Sequence, residues 1–184
     1  MNEVIAAIKN RRSVRRYKAE QISDKELELI LDAGLYAPSA HNDQSWHFTV
    51  IQNKELLAKM NAISKEAMAN SDIDWMRGMA ARPGFEVTYN APTLIVVSGR
   101  KDAMAREVDC SAAIQNMLIA AESLGVGSVW LGLMRFYYEL PEAKETLGVP
   151  DGFEPFYAVA LGYKAEDHKP VAPPRIENAV NYIK

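Results

Sequence analysis

The sequence predicts one layered domain of the α/β or α+β class, and three observations carry that prediction. Apolar runs of strand length are separated by segments of helical period. No internal repeat, low-complexity stretch or linker divides the 184 residues, a length that suits a single substantial core. The stretch Asp109–Leu124, DCSAAIQNMLIAAESL, is apolar nearly all the way round and leaves only two narrow polar stripes, so it reads as a core helix. Its alanines allow close approach, to neighbouring elements or to a second copy of the chain.

The elements follow in order. Glu3–Lys9 reads as a short helix with Asn2 as its cap. RRSVRRY, Arg11–Tyr17, places four arginines in six residues. Such a run is either a solvated basic turn or a phosphate site, and Ser13 among the arginine forks favours a phosphate monoester with a polyol tail. Ser23 and Glu26 have capping-box spacing and open a helix that Pro38 ends. Ala37–Ser45 is a small, polar loop in which Asn42 and Gln44 are either turn residues or ligand-facing amides. Trp46–Ile51 is a strand, and Lys54 to about Ser71 an amphipathic helix. Asp72–Asn90 has no clean period, and reads either as a ligand-covering lid or as packing between subunits.

Thr93–Ser98, TLIVVS, reads as an inner strand. After the core helix comes a β-prone run, Val126–Leu131. GVGSVW from Gly125 resembles a dinucleotide fingerprint for four positions, then fails at Trp130. It also follows a helix where the fingerprint needs a strand, so a Rossmann site is rejected. Pro141 is read as the start of a helix closed by Gly148, and Phe156–Leu161 as the last strand. The proline-rich tail through Arg175 is extended, and Ile176, Ala179, Val180 and Ile183 suggest an arm that must lie on something apolar.

Composition excludes several classes. A net charge of −3 and a pI near 5.7 argue against general nucleic-acid binding. No apolar run approaches a membrane span, and the start lacks the layout of a signal peptide, so a cytoplasmic location is expected. The lone Cys110 lies inside the apolar helix and reads as packing. His41, His47 and His168 have no metal-ligand spacing, and no metal is expected.

Four motifs in order, RRSVRRY, APSAHNDQSWHF, the Asp109 helix with SLGVGSVWLG, and ALGYKAEDHKP ending in PPR at Arg175, span nearly the whole chain. Together they resemble the small FMN-dependent nitroreductases. The resemblance implies an α+β fold with a mixed central sheet flanked by helices, residues 1–184 forming one FMN-binding domain. It also implies an intertwined homodimer with FMN at the subunit interface. Arg11, Arg12 and Ser13 match the family's phosphate- and ribityl-binding run, and Arg15 the cation near the flavin pyrimidine edge. Pro38, Ser39, Ala40, Asn42 and Gln44 match the loop laid on the flavin by the partner subunit. Trp130, Leu131, Gly132 and Leu133 match the segment whose amides face the flavin N5 and O4 edge, and Arg175 the tail residue that returns to the phosphate.

Two departures stand out. Ser45 replaces the usual proline after the glutamine, which implies a looser loop. Prolines precede Arg175 where many members carry a second basic residue, which implies weaker FMN retention. The implied activity is NAD(P)H-dependent reduction of nitroaromatics, quinones or similar flat acceptors by a ping-pong mechanism. Flavin storage without turnover, reductive dehalogenation and flavin destruction are the alternatives on the same fold. No catalytic dyad is expected, because the cofactor carries the hydride chemistry.

Overall fold

A computed structural model describes residues 1–167 and 170–184. Its centre is a four-stranded sheet of β1 (Trp46–Ile51), β2 (Thr93–Arg100), β3 (Gly127–Leu131) and β4 (Phe153–Gly162), in the order β1-β2-β4-β3. Every strand pair is antiparallel: Trp46 lies opposite Gly99, Val96 opposite Ala158, and Val129 opposite Ala160. The expected mixed sheet is thereby corrected for the described strands. β2 and β3 run in the same direction, but β4 inserts between them. Residues 158–161 of β4 (Ala-Val-Ala-Leu) are fully buried, so this strand suits a central place covered on both faces. The parallel pairing that remains is an isolated bridge between Ser13 and Ser128.

Helices cover both faces of the sheet. Ile95, Val97, Val159 and Leu161 pack with Ala113, Ile114 and Met117 of α5 (Arg106–Ser123) and Ile30 of α2 (Asp24–Leu35). Leu94, Val96, Ala158 and Ala160 face the opposite way, toward α3 (Lys54–Ala69), α4 (Asp74–Ala80), α6 (Arg135–Tyr138) and α7 (Ala143–Thr146). This explains why β2 reads as a continuous apolar run, since alternate side chains enter two cores. It also explains the wide apolar surface of α5, which packs on the sheet, on α2 and on α1 (Glu3–Asn10). Close approach of α2 requires Gly34, where a Cβ would sit 2.6 Å from the Met117 Cε.

Local signals mostly specify the observed ends. Asn2 caps α1, and Ser23 and Glu26 form the full capping box of α2. Gly125, at φ +76, turns the chain out of α5, so the failed dinucleotide motif is a helix stop followed by a strand.

Several bounds differ from expectation. α5 begins at Arg106, three residues before the expected start, so Asp109 lies within its first turn, and it is only 2% exposed. β4 begins at Phe153, where pairing with Arg100 extends it. The aperiodic segment 72–90 contains α4, whose Met76 and Ala80 are buried in the second core. The helix expected at Pro141 is the single turn of α7, and α6 was not anticipated.

Candidate functional site

The arginine run leaves α1 in extended form and docks beside the start of β3, where the Val14 amide donates to the Ser128 carbonyl at 2.9 Å. Val14 is fully buried. A Cβ at Gly127 would lie 2.9 Å from its Cγ1, so that glycine lets the run approach the strand. The buried valine turns its neighbours outward. Arg11, Arg12, Ser13, Arg15, Pro173 and Arg175 line one cleft of about 470 Å³. Two segments far apart in sequence thus bring their guanidinium groups together.

The run is a docked strand-edge segment with a cleft, and the bland reading of a solvated basic turn does not describe it. Arg12 also closes α1, donating through Nη1 to the Lys9 and Arg11 carbonyls at 2.7 Å. Guanidinium forks plus a hydroxyl are a donor set that suits a phosphate monoester.

From Ser128, three residues along β3 lead to Leu131, a distance of roughly 10 Å. Trp130 stacks edge-on with Tyr157, ring centroids 5.2 Å apart. Just past the strand, Gly132 and Leu133 line a second cleft of about 440 Å³ with Trp75, Met76, Phe156 and Tyr157. Its walls are mostly aromatic and apolar. Trp75 and Met76 come from α4, so part of the anticipated lid borders the segment expected to face the ring.

A third cleft, of about 510 Å³, shares Arg15 with the first. Arg15 lies over the Tyr89 ring at 5.7 Å, and Arg82, Phe85 and Tyr89 extend the wall. Tyr89 and Asn90 both hold positive φ, +54 each, an uncommon conformation that concentrates at functional sites. Glu86 turns toward Asn61 and Lys65, so its charge is already matched. Tyr17, also on this wall, has its hydroxyl bonded to the Val14 carbonyl at 2.7 Å, and burial raises its pKa.

The loop Pro38–Gln44 borders none of these three clefts within the protomer. His41, Asn42 and Gln44 stand at φ +53, +57 and +44 without a glycine among them. The Gln44 amide donates to the Ser39 hydroxyl at 2.9 Å, and the Gln44 side-chain Nε2 to the Asn42 side-chain Oδ1 at 3.3 Å. Asp109 pins the loop at Ala40 and just past its end at Ser45, accepting from the Ala40 amide at 3.0 Å and from the Ser45 hydroxyl at 2.8 Å. Ser45 is fully buried. The looseness expected from its replacing proline is therefore not what the structure shows. Asp109 and Ser45 were missed as site residues because an acid near a helix start reads as a dipole complement, and nothing local announces its burial.

Cys110 is buried, and desolvation pushes its thiol up to about 12. Among the described residues no group of His, Cys, Asp and Glu could hold a metal ion, and His168 lies outside those residues. No helix among them is long and apolar enough to cross a membrane.

Fold and cleft together define an α+β protein with a guanidinium-lined cleft beside the sheet and an aromatic-lined cleft at the strand end. The chain belongs to the nitroreductase family, whose profile matches residues 8–163. It is 37% identical over 172 residues, 91% of this chain and 88% of the other, to an Archaeoglobus fulgidus protein named as a candidate NADH dehydrogenase/NAD(P)H nitroreductase. A crystal structure of a nitroreductase with bound FMN from Bacteroides fragilis superposes with a TM-score of 0.90 at 37% identity, covering both chains fully. One from Desulfitobacterium hafniense, also with bound FMN, gives 0.92 at 30% identity over the full length of both.

Proposed function

We propose that this chain is an FMN-containing oxidoreductase that takes electrons from NADH or NADPH. It passes them to nitroaromatics, quinones or similar flat acceptors. The observation that carries this reading is the cleft in which Arg11, Arg12, Ser13, Arg15 and Arg175 converge. A phosphate dianion explains why arginines from both ends of the chain meet there, since each guanidinium makes a charge-assisted hydrogen bond. The FMN bound in two full-length relatives agrees with it.

In this reading, Arg11, Arg12 and Arg175 hold the phosphate, and Ser13 the ribityl hydroxyls. Arg15 lies at the pyrimidine edge, where its charge favours the reduced cofactor. Trp130, Leu131, Gly132 and Leu133 supply backbone groups to the ring edge, and Gly132 and Leu133 border the aromatic-lined cleft. Pro38, Ser39, Ala40, Asn42 and Gln44 reach the cofactor from the partner subunit of a homodimer. That agrees with the loop's standing apart from the clefts of its own protomer. Bound FMN supplies the hydride chemistry, so the chain needs no acid–base dyad. Donor and acceptor would use the aromatic-lined cleft in turn, the ping-pong order.

The test begins with the absorption spectrum of the purified protein, which should show flavin bands. Anaerobic NADH or NADPH should then bleach them, and a quinone or nitroaromatic should restore them. A protein that retains flavin but resists bleaching by both nicotinamides is a storage protein, and the oxidoreductase reading fails.

A further inference from the structure

Asp109 is a buried carboxylate in the first turn of α5, and its own amide is satisfied by the Ala105 carbonyl at 2.9 Å. Neither side-chain hydrogen bond of Asp109 goes to α5 itself. Among the described residues it forms no salt bridge, yet both oxygens are used, one by Ala40 and one by Ser45. Burying a charge without a cation is unfavourable, and an apolar side chain of similar shape would often serve the core as well. What the carboxylate does is close a ring around residues 40–45. Inside that ring lie the three positive-φ residues His41, Asn42 and Gln44. A second clamp reinforces it: the Arg100 amide donates to the Ser45 carbonyl at 2.7 Å, and the Arg100 guanidinium bonds Asp43 at 2.5 Å.

We propose that Asp109, acting through Ser45 and the Ala40 amide, is the positioning residue that pre-forms the Pro38–Gln44 loop for cofactor binding. The inference rests on the reading of that loop as a flavin contact. Where proline would stiffen the loop covalently, this chain does it with a hydroxyl and a buried carboxylate. Asparagine at 109 can keep both links, since its oxygen accepts from Ala40 and its NH₂ donates to the Ser45 oxygen. Alanine can keep neither. Pre-formation of this kind shows as affinity, because an unordered loop must lose its freedom when the ligand binds.

The experiment compares wild type, Asp109→Ala, Asp109→Asn, Ser45→Ala and the Asp109→Ala/Ser45→Ala double variant. Apo-protein is titrated with FMN by fluorescence, and hydrogen exchange is followed at the Ala40 amide. Asp109→Ala should weaken FMN binding at least tenfold and speed exchange at Ala40, with exchange in the later turns of α5 little changed. Asp109→Asn should stay within about threefold of wild type. Ser45→Ala should weaken binding severalfold, and should add nothing on top of Asp109→Ala.

Wild-type affinity in Asp109→Ala, or losses that merely track Tm and add in the double variant, would overturn the assignment. If Asp109→Ala does not fold, Ser45→Ala carries the test, and unchanged affinity there is equally fatal. A wild-type protein with no affinity for FMN sinks the functional reading instead, and exchange at Ala40 still decides whether Asp109 holds the loop.

Discussion

At the scale of single residues, the arginines were legible and the carboxylate was not. Four arginines in six positions with a serine among them suggest an anion site, and three of them, Arg11, Arg12 and Arg15, line one cleft with Ser13 and Arg175. Arg11→Ala or Arg175→Ala should each weaken FMN binding by roughly 1.5–3 kcal/mol, more than any single change in residues 72–90. Titration of the apo-protein checks this, and wild-type affinity in both variants removes the phosphate assignment. Arg15 makes a different prediction. A cation at the pyrimidine edge stabilises the reduced cofactor more than the oxidised one, so Arg15→Gln should lower the flavin midpoint potential. The shift should be roughly 20–60 mV for a two-electron couple, with much less effect on affinity for oxidised FMN. An equilibrium dye titration decides it, and an unchanged potential assigns Arg15 elsewhere. Asp109 escaped notice for a physical reason: which way a helix residue faces depends on partners such as Ala40 and Ser45, more than sixty positions away in sequence.

At the scale of elements, what could be read was what local chemistry dictates. β1 matched its expected bounds because its six residues are β-prone and bounded by turn formers, and α2 because a capping box opens it. α4 and α6 were missed because they are short and are stabilised by burying Met76, Ala80 and Tyr137 in a core built by distant strands. The cap of α2 gives a prediction. Hydrogen bonds from Ser23, then Tyr163, hold the Glu26 carboxyl below the usual carboxylate range. Ser23→Ala should cost about 1 kcal/mol at neutral pH. A depressed carboxyl pKa means that Glu26's share is present above the unfolded value and lost as pH falls through the folded one. The gap between wild type and Ser23→Ala should therefore narrow in acid, and a gap that stays constant down to pH 2 contradicts the coupling. Within α5, a Cys110 pKa of about 12 against an ordinary 9.0 leaves roughly a thousandfold less thiolate at pH 8. Native protein should resist a thiol reagent that labels it readily once unfolded, and equal labelling rates would show Cys110 to be accessible.

At the scale of the whole molecule, the sheet and its two cores use most of the apolar content, yet a set of large side chains stays outside. Val4, Ile5 and Ile8 on α1, Val108 on α5, and Val171, Ile176, Val180 and Ile183 in the tail are all exposed in the protomer. The tail from residue 170 onward carries no helix or strand and is exposed almost throughout. Arg175 nevertheless brings that tail to the arginine-lined cleft, so a segment that lines the cleft has little protomer surface of its own to rest on. A second copy offering the same exposed faces can cover both arms by symmetry, each tail lying on the other protomer. The protein is therefore expected to be a dimer whose dissociation and unfolding coincide. Removing residues 176–184, just beyond Arg175, should lower the midpoint of denaturation and raise the dissociation constant of the dimer together. Sedimentation across micromolar concentrations with flavin absorbance as the probe measures this directly. A flavin-loaded monomer would show that one protomer covers its own arm and holds the cofactor without its partner's loop.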